Sequence, residues 1–256
     1  MPIEHYDDPV AAYDRLAPAY AIFSKKRDSY LRGIEREIVP RIRRNSQSLL
    51  DIGAGDGLRA ARIAESAGIA RVVLVEPSAA MAGLAKNTAD VHQMRAEDLK
   101  ADAFPGRFDV ITCLWNVLGH VPGRESRGQT LKTMAKLLSP RGRLFIDVNH
   151  RYNARAYGWI ATSGRWVQDA LTRNVNTGDV TAVWDVGKGR SISTYGHVFR
   201  HREIVELAEA AGMEIEERVV IDYDDGSIRR LPWHGNLLFI LRRTSRIDSS
   251  SAPATS

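Results

Sequence analysis

Apolar positions fall on different rhythms along this chain. Between residues 9 and 42, Tyr13, Leu16, Tyr20, Phe23, Tyr30, Leu31, Ile34 and Ile38 recur at helical spacing, which predicts two amphipathic helices joined near residues 24–26. Residues 48–52 form a short apolar run, and a glycine-rich turn leads from it into residues 58–67, whose alanines and Ile63 favour helix. The run at 71–76 is almost continuously apolar, as in a parallel strand covered on both faces; Pro77 stops it and Ser78 is placed to cap a helix over 79–87. A weaker strand at 91–96, a helical turn near 97–99, a fourth strand at 108–114, a helix at 129–138 and a fifth strand at 142–149 continue the alternation. Strands and helices alternating at this length imply right-handed crossovers and a doubly wound parallel sheet.

Beyond residue 149 the rhythm changes. A helical stretch over 154–171 is followed by two alternating runs, 180–186 and 190–199, flanking Gly187-Lys188-Gly189 as in a β-hairpin. A helix over 202–211 with Gly212 as C-cap, a strand at 214–223, a turn at Asp224-Asp225-Gly226 and a strand at 236–242 then close the pattern. The fold expected is α/β: a Rossmann-like, seven-stranded sheet, mostly parallel with an antiparallel last strand. The expected partition is an N-terminal helical lid (1–45), a nucleotide-binding core (46–150), a lid insertion with the hairpin (151–200), the remainder of the core (201–243) and a Ser/Ala/Pro-rich disordered tail (244–256).

Composition narrows the classes. The chain has 44% hydrophobic and 26% charged residues and no apolar run near the roughly 20 residues of a membrane span, so a soluble protein with no membrane partner is expected. Acids, rather than bases and an apolar stretch, follow the N-terminus, against a targeting peptide. The lone Cys113 excludes an intramolecular disulfide and a Cys-rich zinc site and fits a reducing cytoplasm. The net charge of +5 is dispersed along the chain, whereas a nucleic-acid footprint is concentrated.

The chemistry centres on Asp51-Ile52-Gly53-Ala54-Gly55-Asp56-Gly57. A glycine turn between strand and helix lets a ligand approach the backbone and aims amide N–H groups at it. The dinucleotide pattern is G-x-G-x-x-G, but residues 53–57 read G-x-G-x-G, and Asp51 precedes them. A carboxylate there opposes a pyrophosphate and favours the ammonium and sulfonium of S-adenosylmethionine (SAM). Glu76, ending the second strand, is placed to grip ribose hydroxyls, which SAM and NAD both carry.

With these residues, Leu49 to Gly57 resembles motif I of the class I SAM-dependent methyltransferases, and Glu76 is similar to their second-strand acid. Ala96-Glu97-Asp98-Leu99, Phe108-Asp109-Val110 and Leu137-Leu138-Ser139-Pro140-Arg141-Gly142 resemble later family segments, so the likeness spans roughly residues 10–150. It implies that Asp51, Gly53, Ala54, Gly55 and Gly57 meet the methionine part, that Glu76, Pro77 and Met81 meet ribose and adenine, and that Ala96, Glu97 and Asp98 flank adenine. Arg95 stands where many relatives have an acid, leaving Glu97 or Asp98 for the adenine amino group. Tyr20 in the N-terminal cover and Leu114 and Asn116 after the fourth strand complete the implied SAM contacts; S-adenosylhomocysteine is the implied product.

The acceptor is less legible. No (Asn/Asp)-Pro-Pro-(Tyr/Phe) run follows the fourth strand, and Cys113 lacks a Pro-Cys context, so base methylation in DNA is not indicated. A small metabolite under the lid is expected, methylated on O or N, with Tyr13, Arg27, Tyr30, Asn149, Arg151 and Tyr152 as pocket candidates. His120 is the candidate base, since neutral imidazole accepts a proton near pH 7; His150 and His197 are weaker alternatives. No acid cluster indicates a metal. Two other readings stay open: RNA as acceptor, and a catalytically idle SAM-binding regulator. The oligomeric state is not encoded legibly.

Overall fold

The alternation of parallel-type strands and helices does build one twisted sheet. In the computed structural model, which describes residues 7–86, 88–172, 177–187 and 189–244, the chain order is α1 (Pro9–Leu16), α2 (Tyr20–Lys25), α3 (Asp28–Ile38), β1 (Ser48–Ile52), α4 (Leu58–Ala67), β2 (Arg71–Val75), α5 (Ala79–Ala85), β3 (Asp90–His92), β4 (Phe108–Cys113), α6 (Val117–His120) and α7 (Arg124–Leu137). It continues with β5 (Leu138–Val148), α8 (Ala154–Tyr157), α9 (Trp159–Leu171), β6 (Asp179–Gly187), β7 (Arg190–His197), α10 (His201–Ala210), β8 (Met213–Ile221), β9 (Ile228–Arg229) and β10 (Asn236–Arg243).

The main sheet runs β3-β2-β1-β4-β5-β10-β8-β9. β1 lies between β2 and β4, all parallel, so the order reverses beside β1, where an open α/β sheet places its ligand crevice. β10 is antiparallel to both β5 and β8. Thus the expected antiparallel strand is present but lies inside the sheet, and the expected seven strands become eight through the two-residue β9, too short for a periodic signal. Alternation within each strand divides the core: Leu50, Ile52 and Ile111 face α7 and α10, whereas Leu49, Val110 and Phe145 face α3 and α4.

Local chemistry moved several boundaries. The first predicted helix is two, parted at Ala17–Ala19, where Pro18 lacks an N–H. Gly158, at φ +82°, splits the stretch predicted over 154–171 into α8 and α9. The third strand stops at His92, and Ala96–Asp98 forms a 3-10 turn. The fifth strand starts at Leu138 rather than 142, and the preceding helix starts at Arg124 rather than 129. The hairpin forms as β6 and β7, a separate two-stranded sheet. Asn87 of the predicted helix, Lys188 of the predicted turn and the predicted tail beyond Thr244 lie outside the described residues. Among the described residues, no helix is long and apolar enough to cross a membrane.

Candidate active site

The turn after β1 holds its shape through its own amides. Gly53, Gly55 and Gly57 adopt φ of +70°, +62° and +74°. The N–H groups of Gly53 and Ala54 both donate to the Val75 carbonyl, at 2.8 and 3.1 Å, and Gly57 donates to the Ala54 carbonyl at 3.1 Å. Gly55 donates to Glu76 Oε2 at 2.8 Å, while Ser78 N donates to Oε1 at 2.9 Å. The expectation that this turn aims free amides at a ligand is therefore corrected: β2 and Glu76 take three of them and the Ala54 carbonyl takes a fourth. A turn so occupied, with acids beside it, is poorly suited to pyrophosphate. It offers close approach instead: a Cβ at Gly55 would lie 2.9 Å from the Tyr20 hydroxyl.

A cleft of about 660 Å³ opens against this turn, lined by Gly53, Gly55, Glu76, Pro77, Ala96 and Glu97, with Leu114 and Val117 from the end of β4. Pro9, Tyr13 and Tyr20 cover it from α1 and α2. Burial pushes Glu76 up to about 7, opposed by its two backbone hydrogen bonds. Asp51, at 1% exposure, accepts from Thr112 Oγ1 at 2.6 Å through one oxygen, and among the described residues the other has no partner. Burial raises its pKa, with the Arg59 charge pulling the other way.

Past the cleft, β4 ends in an unusual pair. Trp115 and Asn116 both have φ of +61°, which costs a residue with a Cβ about 1–2 kcal/mol. Asp147 on β5 holds them: its Oδ2 accepts from Trp115 N at 3.0 Å and its backbone carbonyl from Asn116 N at 3.1 Å. This kink turns the chain into α6, ending at His120. His120 Nδ1 lies 2.9 Å from the Tyr195 carbonyl and Nε2 lies 3.5 Å from the Tyr13 hydroxyl, with the rings edge to face. Because a carbonyl only accepts, Nδ1 carries the proton and Nε2 keeps its lone pair. Burial lowers the His120 pKa.

The structure brings Tyr13, Tyr20, Gly53, Gly55, Glu76, Pro77, Ala96, Glu97, Leu114 and His120 to one cleft. Of the open pair, Glu97 lines the cleft and Asp98 does not. Ala54, Gly57 and Met81 support the turn: Ala54 is buried, Gly57 packs against Thr88 and Leu74, and Met81 sits behind Gly55. Asn116 is a strut, donating to the His197 carbonyl at 3.2 Å and accepting from Asn149 N at 3.0 Å.

Three substrate candidates are corrected because their polar groups are satisfied internally. Tyr30 is fully buried and donates to Asp147 Oδ1 at 2.6 Å. Arg151 pairs with Asp169 at 2.7 Å and Tyr152 donates to the same carboxylate at 2.6 Å, together anchoring α9. The alternative bases are also engaged: His150 Nδ1 meets the Pro232 carbonyl at 2.8 Å, and His197 lies between Asp179 and Glu203. Arg27 and Asn149 line a second cavity beside the cleft.

Arg59 and Trp115 line the cleft and were missed. Arg59 is buried, with no partner for Nε among the described residues. The available signal was an arginine in the first turn of α4, where the helix dipole disfavours a cation unless an anion joins it.

Residues 23–218 match the family described as the methyltransferase domain. The chain belongs to it. This methyltransferase is 26% identical over 211 residues to the ubiquinone biosynthesis O-methyltransferase of Ralstonia nicotianae, covering 78% of this chain and 77% of that one. A SAM-dependent methyltransferase of Clostridium acetobutylicum superposes with a TM-score of 0.63 at 13% identity, covering 91% of this chain and 99% of that one. The sugar N-methyltransferase KedS8 of Streptoalloteichus superposes with a TM-score of 0.57 at 21% identity, covering 88% and 93%.

The methyltransferase uses SAM, and its cleft fits that cofactor. Arg59 lines the cleft and would meet a carboxylate, while Asp51 lies buried behind the lining, where its charge would favour an ammonium beside the turn. Gly55 leaves the space a Cβ would fill, Glu76 offers acceptors for ribose hydroxyls, and Ala96 and Glu97 wall the far end.

Proposed function

We propose that this methyltransferase methylates an oxygen or nitrogen atom of a small molecule, with His120 as proton acceptor. The observation supporting the role is the His120 tautomer: the Tyr195 carbonyl fixes the proton on Nδ1, leaving Nε2 basic beside the cofactor cleft. Burial keeps the ring neutral, so Nε2 is available at neutral pH. The names of the relatives, an O-methyltransferase of ubiquinone biosynthesis and a sugar N-methyltransferase, support a small-molecule acceptor and divide on the atom.

SAM, when bound, supplies an electrophilic methyl group on its sulfonium. The chain positions the acceptor and removes its proton. Tyr13 and Trp184 pack around His120, with Trp184 6.0 Å away by ring centroid, and limit water at Nε2. An acceptor hydroxyl within reach of Nε2 passes its proton there as its oxygen attacks, whereas an ammonium gives up its proton first and the neutral amine then attacks. Holding attacking atom and methyl in line gives much of the acceleration in such displacements.

S-Adenosylhomocysteine release from a panel of phenols and amino sugars tests this reading. Replacing His120 by Ala should lower turnover about 10²–10⁴-fold with SAM affinity retained. Full activity of that variant would remove the base role.

A further inference from the structure

Beside the cofactor cleft lies a larger cavity, about 1480 Å³ against 660 Å³. It opens to solvent and is bounded by the end of α2, by α8 and α9, by β6, and by Asn149 and Asn236 at the ends of β5 and β10. Its wall is both basic and aromatic. Lys26, Arg27, Arg155 and Arg165 line it against two carboxylates, Asp185 and Asp224.

The cations are not equivalent. Arg27 donates to Asp224 at 3.1 Å and lies 4.2 Å over the Tyr223 ring, and Arg155 pairs with buried Asp222 at 2.6 Å. Arg165 instead lies 4.3 Å over the Tyr157 ring and gives one N–H to the Arg151 carbonyl at 3.2 Å. Among the described residues, neither Arg165 nor Lys26 has a carboxylate within ion-pair distance. A guanidinium has five N–H donors, so Arg165 keeps a fork free, and stacking on Tyr157 limits the side-chain freedom lost on binding. Two uncompensated cations on a concave wall attract an anion more strongly than the same charges on an open surface.

One aromatic layer divides this cavity from the candidate base. Trp184 lines the cavity and lies 4.9 Å from the Tyr13 ring; Phe23, also on its wall, stacks at 5.7 Å on Trp115 of the cofactor cleft. A molecule with its bulk in the cavity thus lies against the Trp184 ring, whose centroid is 6.0 Å from that of His120.

We propose that the cavity holds the ring-bearing body of the methyl acceptor, and that Lys26 and Arg165 bind a carboxylate or phosphate on it. The acceptor is accordingly an anionic ring compound. This assignment rests on the small-molecule reading above, and the aromatic walls supply the stacking surface for the ring.

Calorimetry on enzyme loaded with S-adenosylhomocysteine tests it with two matched pairs: 3,4-dihydroxybenzoate against catechol, and glucose 6-phosphate against glucose. The anionic member of at least one pair should bind at least tenfold tighter, with an advantage that shrinks as salt rises. Which pair responds separates carboxylate from phosphate. The K26Q/R165Q double variant should lose that advantage, and its affinity for S-adenosylhomocysteine reports whether it is folded. Equal affinities within both pairs, or an advantage surviving in the double variant, would overturn the proposal. H120A should bind the same anion as the wild type. A failed base role therefore leaves this result standing, and a failed anion preference leaves the base role standing.

Discussion

Tyr30 lies in the N-terminal cover, yet its structural role predicts a stability defect rather than an acceptor defect. Its hydroxyl donates at 2.6 Å to Asp147, whose other oxygen restrains the left-handed Trp115. Burial pushes Asp147 from an ordinary 3.8 up to about 6, and the bond from Tyr30 works against that rise. At roughly 1.4 kcal/mol per pH unit, the displacement is worth about 3 kcal/mol. The folded protein holds this proton more tightly than the unfolded chain does. Stability is therefore lost as pH rises from about 4 to about 6, and the loss is complete above that range. Replacing Tyr30 by Phe removes a hydrogen bond to a charged group at pH 8, a cost of about 1.5–3 kcal/mol, but to a mostly neutral carboxyl at pH 5, a cost of about 0.5–1.5 kcal/mol. For a chain of this size, the pH 8 loss lowers the Tm by roughly 3–12 °C. Urea titrations of both proteins at the two pH values provide the measurement. Equal losses at pH 5 and pH 8, or unchanged stability with a raised acceptor KM, would refute the reasoning.

Gly55→Ala should weaken SAM binding at least about tenfold, since it places a Cβ 2.9 Å from the Tyr20 hydroxyl on a left-handed backbone; calorimetry reads this directly. With Glu76 near 7, SAM affinity should rise with pH through neutrality as the carboxylate ionises and should level off above about pH 8, whereas a Glu76→Gln variant should show no such dependence between pH 6 and 8.5. Arg151→Met strands a buried Asp169 carboxylate, at a cost of about 3–5 kcal/mol, and should open α9 to proteolysis; resistance equal to wild type would contradict the anchoring role.

What the sequence displayed clearly was whatever depends on near neighbours. Asp51 to Gly57 could be read because a strand, a positive-φ turn and a helix follow one another within a few residues, and Pro77-Ser78 marks a strand end and a cap in adjacent positions. Tyr13 and Tyr30 show the limit. Both sit on apolar helix faces, but Tyr13 reaches the cleft while Tyr30 reaches Asp147, 117 positions away, and helical spacing cannot distinguish the two. Arg151 and Tyr152 read as pocket candidates because Asp169, which binds both, follows on a separate helix. The turn's amides could not be assigned either, since Val75 and Glu76 meet them only through the register of β1 with β2.

The backbone of β7 meets the site at alternate residues: the Tyr195 carbonyl fixes the His120 ring and the His197 carbonyl receives the Asn116 amide. Its partner strand β6 lends Trp184 and neighbouring side chains to the larger cavity. One hairpin thus serves both sites, β7 through its backbone and β6 through its side chains. On β6 the cavity-lining Val180 to Val183 can be exchanged without touching the His120 surroundings, while Asp179 and Trp184 are engaged with His197 and Tyr13 and the carbonyl spacing of β7 must be kept for the imidazole to retain its tautomer. Exchanging this hairpin between relatives should therefore work as a cassette only when no residue is gained or lost between 195 and 197, and, on the proposed role of His120, a single insertion there should lower turnover before it alters acceptor affinity.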